Sequence, residues 1–317
     1  MGDTRDYRMT PIDSVLRRSL DDRSGDLILT LDPAFQGLPD TAHGGSILAA
    51  VDARAGLTGP RHIDGVYRKR VPVGVPLALV HERTEATHTF VLRDATSVLV
   101  DARVVPAADG DRCAPGPLRD PLLLGVARRD ARDTSDVGSV ARVVEEGSGG
   151  AARPHPLPVS RTCFACGIDN TLGLHVRLGF DDEVVAGTWR PREPFRSADG
   201  TLTSIALTTL CDEAAFWLGA LATGESGMTT SLAVTLHRAV PFGRALTVAG
   251  ARAAARPQAD PRYWDTEVLV RTEDRTLVAS ARITFVVVRG AARRLVLGML
   301  AMNDPAVVAR VFPAYVR

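Results

Sequence analysis

Two short stretches of the chain hold residue types that could act together on a developing negative charge. His43-Gly44-Gly45 opens an apolar run, Ser46 to Ala55, with Asp52 nine residues after the histidine. Thr203-Ser204-Ile205 opens a second and longer one, ending near Ala222, with Asp212 nine residues after the threonine. The N-terminus of a helix presents backbone N–H groups that lack internal partners and carries a partial positive charge, so an oxygen becoming anionic is stabilised there. Gly44 and Gly45 have no Cβ and would let a substrate approach the backbone closely. A carboxylate supplies the other requirement, either attacking the reacting carbon or deprotonating water. Nine helical residues rise about 13 Å, too far for either aspartate to serve the turn that begins its own helix. The partner carboxylate must come from a different element.

The surrounding residues sharpen this reading. Asp212 sits in an almost wholly apolar helix, where an unpaired carboxylate is costly, so it needs a partner or a use. Asp52, with Arg54 nearby, could equally be paired and inert. Glu213 is expected to be a solvated or capping neighbour. A lone histidine commonly just satisfies a turn, but the two glycines after His43 favour a functional role. Gln36 and Arg196 occupy equivalent positions upstream of the two helices, where an amide or guanidinium could orient substrate or water. Cys163 and Cys166 have zinc-knuckle spacing. Four ligands are needed, however, and with no second C-x-x-C or nearby H-x-x-x-H only His155 and His175 stand close, so a hairpin turn is the expectation. Cys211 reads as a small core hydrophobe.

The elements that must position these groups form a repeat. Val71-Pro72-Val73-Gly74-Val75-Pro76-Leu77 echoes Val240-Pro241-Phe242-Gly243-Arg244-Ala245-Leu246 as V-P-x-G-x-x-L. Upstream, Phe35 to Asp52 aligns with Phe195 to Asp212 at a constant offset, and downstream Leu99 to Val104 resembles Val278 to Ile283. Alternating apolar runs predict a strand before each helix, Asp26 to Leu31 and Val184 to Trp189. Further strands are predicted after each helix. They are Gly65 to Arg70, Pro76 to Glu85, Thr87 to Thr96 and Ser97 to Val105 in the first half, and Thr229 to Arg238, Ala245 to Ala254, Tyr263 to Arg271 and Thr276 to Val288 in the second. The second helix has scarcely a polar face and should be enclosed by its sheet. The fold class is therefore α+β, a helix laid on an antiparallel sheet, twice. The expected organisation is an N-terminal extension over 1–24, a first unit over 25–106, a Gly/Pro-rich connector over 107–158, a second unit over 159–289 and a C-terminal helical extension over 290–317.

Composition narrows the class of function. With 45% hydrophobic and 24% charged residues in 317, the chain reads as a soluble globular protein. Its formal net charge of +1 leaves no excess field to draw nucleic acid or an anionic membrane. Lys69 is the lone lysine and the arginines are scattered, so they carry no weight as phosphate ligands in this reading. Four cysteines are too few for a disulfide scaffold and the N-terminus has no apolar signal region, which makes the cytoplasm the expected compartment. Ile205 to Ala222 approaches the length of a membrane span but carries Asp212 and Glu213 at its middle, as a buried helix would.

Phe35-Gln36-Gly37 through His43-Gly44-Gly45 to Asp52 resembles the H-G-G turn and helix of hotdog-fold acyl-CoA thioesterases of the phenylacetate-pathway type. Cys163-Phe164-Ala165-Cys166-Gly167 with Asn170, Gly173 and Leu174 resembles the C-F-x-C-G-x-x-N-x-x-G-L opening found in the same superfamily, and Leu210 to Ala214 resembles its helix. The resemblance spans about residues 26–105 and 161–288 and implies two hotdog units fused in one chain and paired as a pseudo-dimer. In that family the carboxylate of one unit faces the turn of the other. Carried over, one composite site joins Asp212 with His43, Gly44, Gly45 and Gln36. The other joins Asp52 with Thr203, Ser204 and Arg196, and departs from the pattern because Ile205 stands where the family keeps a glycine.

The resemblance implies an acyl thioester of coenzyme A or an acyl carrier protein as substrate, cleaved by hydrolysis, with coenzyme A or phosphopantetheine entering only as part of the substrate. Hydration, dehydration or Michael-type addition on an enoyl thioester is the nearest rival, since His43 with Asp212 could form the pair such enzymes use. A non-catalytic acyl-thioester binder is the other. No phosphate-binding loop and no G-x-S-x-G elbow appears, so neither a nucleotide cofactor, a serine hydrolase nor a metal is expected. Exposed sheet edges leave room for a homo-oligomer.

Overall fold

The structure, a computed structural model, describes residues 10–23, 26–107 and 154–316. Most of the expected connector, and Cys113 with it, lies outside these residues. The first half of the chain holds α1 (Ile12–Arg18) and β1 (Leu20–Arg23) of the N-terminal extension, then β2 (Asp26–Leu29), α2 (Gly44–Ala55), β3 (Arg61–Tyr67), β4 (Leu77–Thr84), β5 (Thr87–Arg93) and β6 (Val98–Pro106). The second holds β7 (His155–Pro156), β8 (Gly179–Phe180), β9 (Val184–Trp189), α3 (Ser204–Thr223), β10 (Gly227–Leu236), β11 (Leu246–Ala251), β12 (Arg256–Pro257), β13 (Tyr263–Thr272) and β14 (Leu277–Val287). Two helices close the chain, α4 (Ala292–Leu300) and α5 (Pro305–Val311).

The strands form one antiparallel sheet in the order β1-β2-β4-β5-β6-β3-β10-β14-β13-β11-β9-β8-β7, with β12 beside β13. The units join where β3 pairs with β10, Arg61 opposite Leu236 and Val66 opposite Ser231. This central strand begins four residues before the apolar signal near Gly65. Its polar residues are accommodated by specific partners. Arg61 pairs with Asp52, Arg103 with Asp64, and His62 Nδ1 lies 2.8 Å from Thr235 Oγ1. Arg68, Lys69 and Arg70, expected within it, leave the sheet and are exposed.

The duplication extends to single hydrogen bonds. The Ala42 N–H donates to Val71 O and the Leu202 N–H to Val240 O, each at 2.8 Å, while His43 N and Thr203 N donate to Phe35 O and Phe195 O. Gly74 and Gly243 of the repeated V-P-x-G both take positive φ, +70° and +92°, which a Cβ would disfavour. Both long helices end on a left-handed glycine, Gly56 and Gly224.

α3 packs on β9, β10, β11, β13 and β14, and α2 on β3, β6 and β10, and the two helices pack against each other. Fifteen of the twenty residues of α3 are buried, which explains its lack of a polar face. It is long and apolar enough to cross a membrane by composition, yet here it is the central rod of the core. Burying a Leu or Ile of such a helix contributes about 1.5–3 kcal/mol each. The residues outside the repeat are also tied down. Ile12, Val15 and Leu16 of α1 are buried, and Phe312 after α5 approaches Trp217 of α3 with ring centroids 6.4 Å apart.

Candidate functional site

The contact between α2 and α3 sets the geometry. Gly45 sits against the backbone of α3 so closely that a Cβ there would lie 2.6 Å from Thr208 O and 2.7 Å from Thr209 Cα. Thr208 Oγ1 donates to Gly45 O at 2.8 Å and locks the crossing. This approach brings Asp212, one turn further along α3, onto the first turn of α2. The Gly45 N–H donates to Asp212 Oδ2 at 3.1 Å, and Thr229 Oγ1 of β10 donates to Oδ1 at 2.7 Å. His43, the N-cap of α2, places Nδ1 3.0 Å from Asp212 Oδ2 and Nε2 3.6 Å from Glu213 Oε2. The Trp217 indole N–H donates to the other oxygen of Glu213 at 2.9 Å. Tyr67, at the end of β3, donates its hydroxyl to Gly44 O at 2.8 Å and pins the turn from below.

Electrostatics make an ion pair of this contact. Burial disfavours a charged His43, but the Asp212 charge and hydrogen bond, with Glu213 behind them, outweigh it and raise its pKa well above the ordinary value. Burial likewise works against ionised Asp212, and is overcome by His43, Thr229 and the Gly45 amide, so its carboxyl is held below the usual range. The Nδ1 proton of the imidazolium then points at Asp212. The Gly45 N–H, 3.3 Å from Nδ1 as well, goes to the carboxylate instead. Tyr67 stays protonated, pushed up by burial and by the Asp212 charge. Gly44 N–H, in the first turn of the helix, donates to no acceptor among the described residues.

These groups open onto a cavity of about 430 Å³. Ile47, Phe216, Trp217, Val286, Leu295 and Met299 supply apolar wall, the last two from α4. Arg68, Lys69, Arg70, Arg161 and Arg294 also line this cavity, Arg68 paired with Asp101 and Arg161 with Asp169. Discounting the arginines singly overlooked that the fold gathers these, and the run Arg68-Lys69-Arg70 was the available signal.

The predicted residues divide sharply. Asp212, His43 and Gly44 meet as one constellation. Gly45 is adjacent, but its missing Cβ makes room for the backbone of α3 and not for a substrate. Gln36 does not join them. Its side-chain oxygen accepts from Asp40 N within its own turn, and it lines no part of the cavity.

The second composite site is not assembled. Asp52 is taken by Arg61, whose Nε and Nη2 lie 2.5 and 2.7 Å from its two oxygens. Arg196 is exposed, 3.6 Å from Glu193 and stacked over Phe242. Thr203 is buried with its hydroxyl unpartnered among the described residues, Asp52 bonds to Arg61 instead of Ser204, and Ile205 fills core where its counterpart Gly45 admits a helix.

Glu213, expected at the surface, is 5% exposed and faces His43. Its signal was there in part, a second acid beside Asp212 in an apolar helix with Trp217 four residues on. Tyr67 and Thr229 gave no sequence signal at all. The C-x-x-C segment forms a turn that leads into no strand hairpin and is clamped between the units. Phe164 packs between Phe35 and Phe195, its N–H donates to Gln36 O at 2.7 Å, and Asn170 donates to Ala34 O. Cys163 and Cys166 line the cavity, whereas His155 and His175 do not.

No protein-family profile matches the chain, and no curated protein does. Solved structures do. An acyl-CoA thioesterase II, TesB2, from Mycobacterium marinum superposes with a TM-score of 0.54 at 13% identity, over 89% of this chain and 99% of its own. A protein with a hot dog fold from Alicyclobacillus acidocaldarius gives 0.51 at 13% over 86% and 96%. The CurJ dehydratase, in an inactive mutant form, gives 0.50 at 12% over 84% and 93%. At such identities the likeness speaks to architecture, and with the duplicated helix-on-sheet units it shows that this chain has the hotdog fold, twice over.

Proposed function

We propose that the protein is a thioesterase that hydrolyses an acyl thioester of coenzyme A or of an acyl carrier protein at the Asp212–His43–Gly44 site. The observation that carries this reading is the ionised carboxylate of the second unit held against the opening turn of the first unit's helix, beside an unengaged amide and an apolar cavity. The thioester oxygen docks on Gly44 N–H, where the helix N-terminus stabilises the charge it acquires; one such donor is worth roughly 3–4 kcal/mol in the transition state. Asp212 takes a proton from the attacking water and returns it to the thiolate as the C–S bond breaks, or attacks the carbonyl carbon itself, expelling the thiolate and forming an anhydride that water then hydrolyses. The protonated imidazole of His43 positions Asp212 and neutralises it in the resting state. The acyl chain lies along Phe216, Trp217, Leu295 and Met299, and the phosphates of the carrier meet Arg68, Lys69, Arg70 and Arg161. Coenzyme A or phosphopantetheine is then part of the substrate and not a resident cofactor.

One observation favours a second reading. His43 and Asp212 form a direct pair at 3.0 Å, as an acid and base for water elimination from, or addition to, an enoyl thioester would. A panel of acyl-CoA substrates monitored for free thiol separates the two. Thiol release that disappears in Asp212→Asn supports hydrolysis. A mass change of 18 units without thiol, about one water, assigns hydration or dehydration. Binding without either product leaves a non-catalytic acyl-thioester binder.

A further inference from the structure

Three buried side chains, His43 of the ion pair and two beside it, lie as close together as the ligands of a metal centre. One ring nitrogen of His43, Cys163 Sγ and a carboxylate oxygen of Glu213 all lie within 4.8 Å of one another. Cys166 is not within that distance of all three, but its thiol neighbours Cys163 and Glu213 and can turn in as a fourth donor. All four line the cavity, so a cation has a path in. We propose that His43, Cys163, Cys166 and Glu213 bind one divalent cation of the zinc class in a four-coordinate site.

One edge of the group already has the length such an ion needs. Tetrahedral zinc, with bonds of about 2.0–2.3 Å to N, O and S, has ligand–ligand edges of roughly 3.3–3.8 Å. His43 Nε2 and Glu213 Oε2 are already 3.6 Å apart. Two sulfurs, an imidazole and a single carboxylate favour zinc over the hard cations magnesium and calcium.

The supporting contacts are those a metal site uses. Asp212 holds Nδ1 of His43, which leaves Nε2 as the ligating atom and fixes the ring, while the Trp217 indole holds the non-ligating oxygen of Glu213. The Ala165 N–H points at Cys163 Sγ, 3.4 Å away, and a backbone hydrogen bond from Cys166 reaches the same sulfur. Backbone donors aimed at sulfur stabilise a thiolate. The turn that aims them needs Gly167, where a Cβ would fall 2.2 Å from Cys163 O. Binding displaces the two thiol protons and the Nε2 proton of His43; no electrons move.

The site owes nothing to the thioester reading, and either can fail alone. The full-length protein, stripped with chelator and kept reduced, is titrated with Co²⁺ and then Zn²⁺. We expect one equivalent of cobalt to bind with release of protons, giving the thiolate-to-metal charge-transfer band and intense d–d bands of tetrahedral coordination, and to be displaced by one equivalent of zinc with no further proton release. Cys163→Ser and Cys166→Ser should abolish the charge-transfer band or weaken binding at least about 100-fold, and Trp217→Phe should weaken it about 10-fold through Glu213. Absence of a charge-transfer band in the wild type overturns the proposal, and this holds whether or not the variants fold. So does cobalt binding that is unchanged by both serine substitutions, or recovery of Cys163 and Cys166 as a disulfide after reduction.

Discussion

Replacing Asp212 by Asn removes one charge with almost no change in shape, and the contacts around it dictate the result. Oδ1 keeps its bond from Thr229, but the amide nitrogen now faces two donors, the Gly45 N–H at 3.1 Å and the His43 Nδ1 proton at 3.0 Å. The conflict is relieved if His43 loses that proton. Burial disfavours its charge and only Glu213 and Cys163 still favour it, so without Asp212 its pKa should fall from its raised wild-type value. The asparagine can then donate to Nδ1. Catalysis has no such escape. Loss of a general base or nucleophile costs about 10²–10⁴-fold in rate, or roughly 2.7–5.5 kcal/mol of barrier. The assay is thiol release from acyl-CoA substrates, with kcat and KM separated, alongside NMR titration of the His43 ring. Expected are a kcat reduced by at least about 100-fold, KM changed by less than about threefold, and a His43 that titrates at lower pH than in the wild type. A kcat within about threefold of wild type in a folded variant would refute the role given to Asp212. Asp52→Asn is the matched control. It breaks a buried pair with Arg61 and should cost about 3 kcal/mol of stability while leaving kcat near wild type, because Asp52 touches no part of the cavity.

The two glycines should separate by mechanism: Gly44→Ala puts a Cβ 2.7 Å from Asp212 Oδ2, so it should fold but lose activity about 100-fold or more, whereas Gly45→Ala meets the α3 backbone and should be destabilised by several kcal/mol in thermal denaturation. In metal-free buffer the ion pair gives stability two limits. The raised His43 pKa contributes stability fully present below about 6.5 and lost as pH rises through its folded value, and the depressed Asp212 pKa contributes stability present above about 3.8 and lost as pH falls through its folded value. Denaturant midpoints measured from pH 3 to 10 should fall toward both ends, and a flat profile in which Asp212→Asn matches wild type would refute the pair. Replacing Arg68, Lys69 and Arg70 together by Ala should raise KM for a coenzyme A thioester at least about tenfold, with loss of its salt dependence, and leave a phosphate-free thioester of the same acyl group unaffected. Equal effects on both substrates would remove phosphate recognition from the basic run.

Much of the architecture was legible because its causes are local. Alternation of apolar residues marked β9 at its full extent and β4, β5, β6, β13 and β14 within a few residues, and the V-P-x-G echo disclosed the duplication that the matched hydrogen bonds of Ala42 and Leu202 repeat atom for atom. The rise of a helix likewise required a partner for the His43 turn from outside α2, and Asp212 declared itself as an acid in apolar surroundings. β3 was placed four residues late because a strand paired on both sides takes its register from its neighbours, and its polar residues, Arg61, His62 and Asp64, hide the alternation.

What the chain order concealed depends on side chains brought together across units. Whether Asp52 would face a substrate or a partner turned on Arg61, nine residues away in sequence but on a different element. Gln36 occupied the expected position and turned to its own loop, since an amide on a flexible stem takes the nearest donor. Glu213 looked like a surface charge until the fold set His43 and Trp217 around it. Cys163 and Cys166 were short of ligands along the sequence because the two residues facing them come from the N-cap of α2 and the middle of α3. Spacing along one element determines which face a residue can occupy, through the fixed geometry of helix and strand. Which group it meets there is decided by the packing of distant elements, and in this protein by how closely Gly45 allows α3 to approach α2.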